Sequence, residues 1–234
     1  YLKVLLQYVT ASIFEEMELS IHPAAKKGDG VPATYKVFPM EKDRVAMRAS
    51  GTDWAGFGIT MTGKARLLSI QTLLVDIFHR KIEGAVIETG VWRGGMSVYM
   101  RAVLRAYGEG DRLQFVCDSF NGLPPSTYAG NKEENRQWDE NPYLEVTSDF
   151  VKHNFEALGL HDSNLIFAKG FFSKTMKPIS EAYDGKFALL RLDGDMYEST
   201  VDVLYHLYDR LSIGGFVGKT DILSIVYCYL YIYY

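Results

Sequence analysis

The sequence predicts an α/β fold in which a mostly parallel sheet lies between two layers of helices. Short apolar strands alternate with helical patterns from about residue 84 onward, which is typical of a parallel sheet with crossover helices. The first of these strands ends in an acid and a glycine-rich turn. A chain of 234 residues, of which 47% are hydrophobic and 23% charged, is long enough to bury one such core.

Composition excludes several classes of partner. The net charge of −4 leaves no basic surface of the kind that nucleic-acid-binding domains carry. No apolar run is long enough to span a membrane. Cys117 and Cys228 lie far apart, which argues against a disulfide framework or a zinc site and fits a reducing compartment. We therefore expect a cytoplasmic protein with neither nucleic-acid nor membrane partners.

The segment before the first strand predicts a helical cap. Apolar residues at helical spacing predict amphipathic helices over 1–20 and 64–81. Loop signals fill 21–34, and the glycine- and threonine-rich stretch 48–63 is either a linker or a lid over a ligand. We expect two parts, a cap and lid segment over 1–82 and an α/β core over 83–234.

The stretch around Glu88 carries the first functional signal. An apolar strand over 85–87 ends in Glu88, and Gly90, Gly94 and Gly95 precede a helix over 96–107. The spacing Gly-x-x-x-Gly-Gly matches neither the dinucleotide fingerprint nor the phosphate-binding loop. A carboxylate at this strand end repels a pyrophosphate but suits an ammonium, as S-adenosylmethionine (SAM) carries. The motif alone fits an ordinary strand-turn-helix equally well.

Two later strands extend the pattern. The strand 113–118 ends in Asp118, which is placed to accept hydrogen bonds from ribose hydroxyls. Glu88 would thus be placed for the amino acid end of SAM, and Asp118 for its sugar. After a third strand over 165–170, Phe171 lies either beside an adenine or in the core.

The connections between these strands add two expectations. The loop 121–147 contains Tyr128, Trp138 and Tyr143 among many charges. A loop of this length is usually either functional or disordered, and the interleaved aromatic residues favour a substrate lid over disorder. Ser148 is placed to cap a helix that ends at Gly159.

The fourth strand, 187–192, is followed by Asp193 and Asp195. Two carboxylates at a strand end suit a hard cation with oxygen ligands, although Asp195 is more simply a turn residue. Ser199 and Asp202 resemble a capping box for the next helix. A fifth strand begins near residue 214.

Seven stretches taken together resemble one family, the macrocin O-methyltransferase (TylF-type) family of SAM- and magnesium-dependent sugar O-methyltransferases. They are Asp53-Trp54, Thr60-Met61-x-Gly63, 88–95, Asp118-Ser119-Phe120-x-Gly122-Leu123-Pro124, Val151-x-x-Asn154-Phe155, Gly170-x-Phe172, and 191–200. Each stretch is weak alone, but in this order they are specific.

The resemblance implies a class I SAM-dependent methyltransferase (Rossmann-like) fold with seven strands. It implies that Asp193 is a metal ligand and the general base, and that the acceptor is a hydroxyl of a sugar or similar small molecule on a macrolide-type natural product. It also suggests self-association through the N-terminal region. The implied SAM contacts are Thr60, Met61, Glu88, Thr89, Gly90, Val91, Trp92, Asp118, Ser119, Gly170 and Phe171.

The C-terminus departs from the family pattern. The family has two adjacent metal-binding aspartates, where this chain has Thr220 and Asp221. The metal ligands would then be Asp193 and Asp221, and Thr220 puts Mg²⁺ binding in doubt. The tyrosine-rich tail 222–234 matches nothing in the family. Either the 3′ end is truncated or frame-shifted, which leaves a sheet edge exposed, or the tail has diverged and adds its own strand.

Three functional hypotheses follow from the sequence. The first is a SAM- and Mg²⁺-dependent O-methyltransferase acting on a sugar hydroxyl or similar diol. The second is a degenerate SAM-binding protein without turnover, suggested by Thr220 and the tail. The third, a nicotinamide-dependent oxidoreductase, is disfavoured by Glu88 and by the missing dinucleotide fingerprint.

Overall fold

The computed structural model describes residues 1–12, 18–20, 36–38, 46–47, 58–124, 142–219 and 228–231. Expectations that concern Asp53, Trp54, Tyr128, Trp138 and the pair Thr220 and Asp221 therefore lie outside the described residues, as do the loop over 21–34 and the whole of 48–57.

A six-stranded sheet forms the centre of the fold, in the order β5-β4-β3-β6-β7-β8. Its first five strands are parallel, and β8 pairs antiparallel with β7. The strands are β3 (Ala85–Thr89), β4 (Gln114–Asp118), β5 (Leu165–Lys169), β6 (Phe187–Leu192), β7 (Leu211–Lys219) and β8 (Cys228–Tyr231). A separate antiparallel pair joins β1 (Glu18–Ser20) to β2 (Lys36–Phe38).

Helices cover both faces of the sheet. On one face, a core cluster joins the sheet to α1 (Leu2–Val9), α2 (Lys64–His79), α3 (Gly95–Ala106) and α4 (Ser148–Ala157). On the other face, a second cluster joins it to α5 (Phe172–Ala182) and α6 (Tyr197–Leu207). This confirms the predicted three-layer sandwich. No helix in the described part of the chain is long and apolar enough to cross a membrane.

The predicted N-terminal helix over 1–20 is wrong in its length. Helix α1 ends at Val9, because Ala11 adopts a left-handed φ of 56° that a helix cannot continue through. Residues Glu18–Ser20 form a strand instead. The second cap helix is confirmed over Lys64–His79, and its apolar stripe, with Leu67, Leu74 and Ile77, is fully buried.

Two local expectations in the core need correction. Thr147, not Ser148, caps α4, and its hydroxyl accepts a hydrogen bond from the backbone N–H of Phe150. Ser199 does not begin α6, because that helix starts at Tyr197 and buries Ser199 in its first turn. Helix α5 was not among the predicted elements, and it contains Pro178, a residue that usually argues against a helix.

The C-terminal tail contributes a strand to the sheet. Backbone pairing joins Phe216–Lys219 of β7 to Cys228–Tyr231 of β8. The exposed edge expected at the fifth strand is therefore not observed along this part of β7. This pairing provides the added strand that the second interpretation of the tail expects, while the origin of the 3′ end stays a prediction. The described residues form six of the seven strands that the family resemblance implies.

The turn after β3 depends on a glycine. Gly90 has a φ of 88°, in the left-handed region. Its backbone N–H donates to the carbonyl of Cys117 at 2.9 Å. A β-carbon at this position would collide with the backbone carbonyl of Asp193. The turn can therefore lie against the end of β6 only because residue 90 has no side chain.

We predict that Gly90→Ala destabilises the fold by about 3 kcal/mol or more, since it combines an unfavourable φ with a backbone collision. Gly108→Ala is the matched control. Gly108 has a similar φ of 81° but no atom within 4 Å of an added β-carbon, so only the conformational cost of about 1 kcal/mol applies. Urea denaturation followed by tryptophan fluorescence measures both. Equal losses for the two variants would contradict the account of this turn.

Candidate active site

The carboxyl ends of the neighbouring strands β5, β4, β3 and β6 meet at one end of the sheet. Backbone N–H groups of Gly90, Gly170 and Asp193 donate to carbonyls of neighbouring strand ends, at 2.8–2.9 Å. A cleft opens at this end and encloses about 810 Å³ of empty space, including its mouth. Ligands of open α/β sheets bind in this position, so the cleft is the candidate active site.

The cleft collects most of the predicted site residues. Ten of them line it: Thr60, Met61, Glu88, Gly90, Val91, Trp92, Asp118, Ser119, Phe171 and Asp193. Thr89 and Gly170 are not in its wall; Thr89 is buried and its hydroxyl donates to the carbonyl of Arg191 at 3.3 Å. Asp221 lies outside the described residues.

Glu88 forms part of the cleft floor and is almost fully buried, with donors on both carboxylate oxygens. The guanidinium of Arg191 donates to one oxygen, and the hydroxyl of Ser97 donates to the other. Both Glu88 and Arg191 are 1% exposed. Burial raises the pKa of Glu88 to about 7, although Arg191 and Ser97 act in the opposite direction. Glu88 thus changes its charge near neutral pH.

Asp118 organises the glycine turn through its carboxylate. Its Oδ2 accepts from the backbone N–H groups of Val91 at 2.7 Å and Trp92 at 3.3 Å. Its Oδ1 accepts from the N–H of Phe120 at 2.9 Å and the hydroxyl of Ser119 at 3.3 Å. Burial raises the pKa of Asp118, and these hydrogen bonds oppose the shift. The two 3.3 Å bonds are the ones that a ligand hydroxyl would most easily replace.

Two segments of chain are fastened to the same turn. The indole N–H of Trp92 donates to the carbonyl of Tyr143 at 2.9 Å, and the two rings pack 5.3 Å apart. The guanidinium of Arg93 lies over Trp92 and donates to the carbonyl of Gly58 at 3.0 Å. The end of the long loop and the predicted lid therefore both border the cleft.

The predicted lid comes close to the start of α3. The N–H of Gly95 donates to the carbonyl of Ile59 at 2.9 Å, and a β-carbon on Gly95 would lie 2.6 Å from that oxygen. This contact brings Thr60 and Met61 into the cleft wall. The described portion of 48–63, from Gly58 onward, therefore borders the cleft, and its role as a lid over a ligand stays a prediction.

Asp193 and Asp195 lie at the mouth of the cleft. Asp193 remains 29% exposed, and its Oδ2 accepts from Arg191 at 2.8 Å. Asp195 is solvent-exposed. Within the described ranges, no group of three or more acidic, histidine or cysteine side chains has the arrangement of a metal site. Asp193 and Asp195 nevertheless offer the oxygen donors that Mg²⁺ prefers.

Sequence reasoning missed two polar residues at this site. Arg191, treated only as part of a strand, contacts two acids, and Thr62 lies within hydrogen-bonding reach of it at 3.4 Å. A charged residue within the apolar strand 187–192 was the available signal for Arg191, because buried charges are nearly always paired. Thr62 had no comparable signal.

One known protein family matches this chain over almost its whole length. Residues 1–232 fit the family described as macrocin-O-methyltransferase (TylF). The chain belongs to the macrocin-O-methyltransferase (TylF) family. Membership confirms the resemblance drawn from the sequence motifs. It also favours methyl transfer over the nicotinamide-dependent alternative.

Three relatives of this TylF-family chain are named for the reactions they catalyse. It is 43% identical over 177 residues to the 8-demethyl-8-(2,3-dimethoxy-alpha-L-rhamnosyl)-tetracenomycin-C 4'-O-methyltransferase of Streptomyces olivaceus. It is 38% identical to the demethyldecarbamoylnovobiocin O-methyltransferase of Streptomyces niveus and 40% identical to the mycinamicin III 3''-O-methyltransferase of Micromonospora griseorubida. The matches cover 74–76% of this chain and 66–69% of the relatives, so the chain spans about two thirds of their length.

Solved structures agree on the fold. The O-methyltransferase NovP superposes with a TM-score of 0.77 and 34% identity, over 94% of this chain and 83% of NovP. The calicheamicin methyltransferase CalS11 superposes with a TM-score of 0.58 at 20% identity, over 69% of this chain and 65% of CalS11, which supports the fold alone. These likenesses confirm the Rossmann-like methyltransferase fold for the TylF-family chain.

We predict that Asp118→Asn destabilises this TylF-family protein by about 1–3 kcal/mol, because an amide group cannot accept hydrogen bonds at both of its ends. Asp111→Asn, at an exposed position just before β4, is the control and should change the stability by less than about 0.5 kcal/mol. Urea denaturation provides the measurement. If both variants are as stable as the wild type, Asp118 does not hold the turn.

Proposed function

We propose that this protein is a SAM-dependent O-methyltransferase that methylates a hydroxyl of a sugar-bearing natural product. The observation that carries the proposal is the cleft that gathers Glu88, Asp118 and Asp193 at the carboxyl ends of β3, β4 and β6. Family membership supplies the reaction class, and the names of the three relatives supply the class of acceptor.

The acidic cleft suits the charge of the methyl donor. Four carboxylates, those of Glu88, Asp118, Asp193 and Asp195, line the cleft. SAM carries a sulfonium and an ammonium. We assign the ammonium to Glu88, at the end of β3, and the ribose hydroxyls to Asp118, where they would replace the two long hydrogen bonds from Trp92 and Ser119.

Other parts of the cleft wall would hold the remaining portions of the donor. Phe171 borders the cleft before α5 and offers an aromatic face to the adenine. Thr60 and Met61 cover the donor from the lid, while Gly90, Val91 and Trp92 bring backbone close to it. Excluding water at this point strengthens the electrostatic contacts within the cleft.

Asp193 is the residue that we assign as general base. Its side chain is partly exposed at the cleft mouth, so an acceptor hydroxyl can reach it. One of its oxygens is held by Arg191, which fixes the direction of the carboxylate. Asp193 would accept the hydroxyl proton while the oxygen attacks the methyl carbon and the methyl–sulfur bond breaks, which leaves S-adenosylhomocysteine. General base catalysis of this kind contributes about 10²–10⁴ in rate.

The proposal also includes a bound Mg²⁺ ion. Asp193 and Asp221 would hold the ion, with Thr220 in place of the first of the two adjacent family aspartates. A bound Mg²⁺ would lower the pKa of a coordinated sugar hydroxyl. The carboxylate oxygens of Asp193 and Asp195 are ligands of the kind that Mg²⁺ prefers. These two described residues alone do not form a site with three ligands.

Three earlier expectations remain predictions beside this proposal. They are the division into a cap over 1–82 and a core over 83–234, self-association through the N-terminal region, and the cytoplasmic location. The acceptor itself would be chosen by the lid and by the loop 121–147. The names of the relatives indicate a small molecule of the tetracenomycin, novobiocin or mycinamicin kind.

Titration calorimetry with SAM, first in EDTA and then in Mg²⁺, tests the donor assignment. We expect binding in both conditions, because Glu88 and Asp118 do not depend on the metal. A folded chain that binds no SAM would contradict the enzyme proposal. SAM binding without S-adenosylhomocysteine (SAH) formation from any glycosylated acceptor, with or without Mg²⁺, would instead support the degenerate-binder alternative.

We predict that Asp193→Asn lowers methyl transfer at least about 100-fold while SAM affinity changes less than about threefold, since a general base acts on the acceptor. SAH formation from rhamnosylated tetracenomycin or mycinamicin III provides the assay. Asp111→Asn should leave the rate unchanged. Unreduced turnover by Asp193→Asn would remove Asp193 from the reaction.

We predict that SAM affinity falls as the pH is lowered from 7.5 to 5.5. The pKa of Glu88 is raised to about 7, so its negative charge is lost as the pH falls through this value, and with it the attraction for the ammonium. The decrease should approach about tenfold per pH unit. Calorimetry of Glu88→Gln over the same range is the control. If that variant keeps the wild-type slope, another group is responsible.

A further inference from the structure

Arg191 is a buried arginine that joins three segments of the cleft. It lies on β6 directly beside Glu88 of β3 in the strand register. One terminal nitrogen, Nη1, donates to Glu88, and the other, Nη2, donates to Asp193 at 2.8 Å. Nη2 also lies 3.4 Å from the hydroxyl of Thr62 on the lid. A single guanidinium thus contacts the floor, the mouth and the lid.

The planar shape of the guanidinium makes this arrangement possible. Its two terminal nitrogens are held in a fixed fork, so each can serve a different carboxylate at the same time. A lysine carries one nitrogen on a flexible stem and cannot reproduce this geometry. Replacing Arg191 with lysine therefore keeps the positive charge and removes the forked shape, so the two effects can be measured separately.

Glu88 depends on Arg191 for its orientation. The only other side chain that donates to it in the described contacts is Ser97 of α3, on the second carboxylate oxygen. These two donors come from different layers and hold the carboxylate at the cleft wall. Without Arg191, Glu88 would be a buried charge that lacks its counter-charge, a condition that disfavours the ionised form.

We propose that Arg191 is a positioning residue that sets the Glu88 carboxylate for the ammonium of the methyl donor, with Asp193 and Thr62 as its other anchors. The inference rests on the proposed function, because it assigns Arg191 a part in SAM binding. Arg191 acts through Glu88 and does not itself touch the ligand.

The experiment measures the affinities of SAM and SAH by calorimetry, together with thermal stability, for Arg191→Lys and Arg191→Gln. We expect both variants to bind both ligands at least about tenfold more weakly, the size expected for loss of a charged hydrogen bond. If Arg191 acted only as a local positive charge, Arg191→Lys would match the wild type, and Arg191→Gln would favour the cationic SAM over SAH.

Arg101→Lys is the matched structural control. Arg101 is also 1% exposed and paired with an acid, Asp162, at 2.6 Å, but it does not line the cleft. Its replacement should lower the thermal stability and leave the SAM affinity within about twofold. A loss of affinity as large as that of Arg191→Lys would show that general loosening of the fold explains both, and the inference would fail.

A double-mutant cycle tests whether Arg191 acts through Glu88. If it does, Arg191→Gln weakens SAM binding less than about threefold when Glu88→Gln is already present. Independent, additive losses would overturn the inference. So would wild-type SAM affinity in folded Arg191→Lys. Absence of SAM binding by the folded wild-type chain would instead overturn the proposed function, and the inference with it.

Discussion

The alignment of neighbouring strand ends is the constraint on which this site depends. The N–H of Gly90 donates to the end of β4, and the N–H of Asp193 donates to the end of β3, at 2.9 and 2.8 Å. These bonds fix where each strand stops relative to its neighbour. Because Glu88, Asp118 and Asp193 lie at or directly after those ends, their carboxylates face one cleft although they are far apart in sequence.

Gathering several acids in one cleft creates an electrostatic problem that the surrounding structure limits. Asp118 accepts hydrogen bonds from the backbone N–H of Val91 in the glycine turn and from that of Phe120 after β4. Glu88 and Asp193 share Arg191. Asp195 alone relies on solvent exposure. The remaining negative potential favours a cationic ligand, which is the physical link between this cleft and a sulfonium donor.

Much of the fold and site could be predicted from sequence, because apolar strands and the acids that follow them are local patterns. The five parallel strands form where they were expected. Of the twelve described candidates for cofactor or catalytic roles, ten lie in the cleft wall. The errors have a common origin in non-local contacts. No residue near Ala11 predicts its left-handed backbone conformation. Helix α5 contains Pro178 and is stabilised by Phe172 and Met176, which are buried against the sheet.

The contacts of Arg191 could not be predicted from its sequence neighbours. Its neighbours in sequence are apolar, and its partners lie 103 residues away at Glu88 and two residues away at Asp193. Only the parallel register of β3 and β6 brings the three together. The family resemblance included this residue in a motif without giving it a role, and the contact geometry supplies one.

The most direct test of this account is a crystal structure of the protein with SAH. The account predicts that the amino group of SAH lies within hydrogen-bonding distance of the Glu88 carboxylate, that the ribose hydroxyls contact Asp118, and that Arg191 still bridges Glu88 and Asp193. A complex in which SAH lies in this cleft but its amino group is remote from Glu88, or in which it binds elsewhere, would contradict the assignment of the cleft.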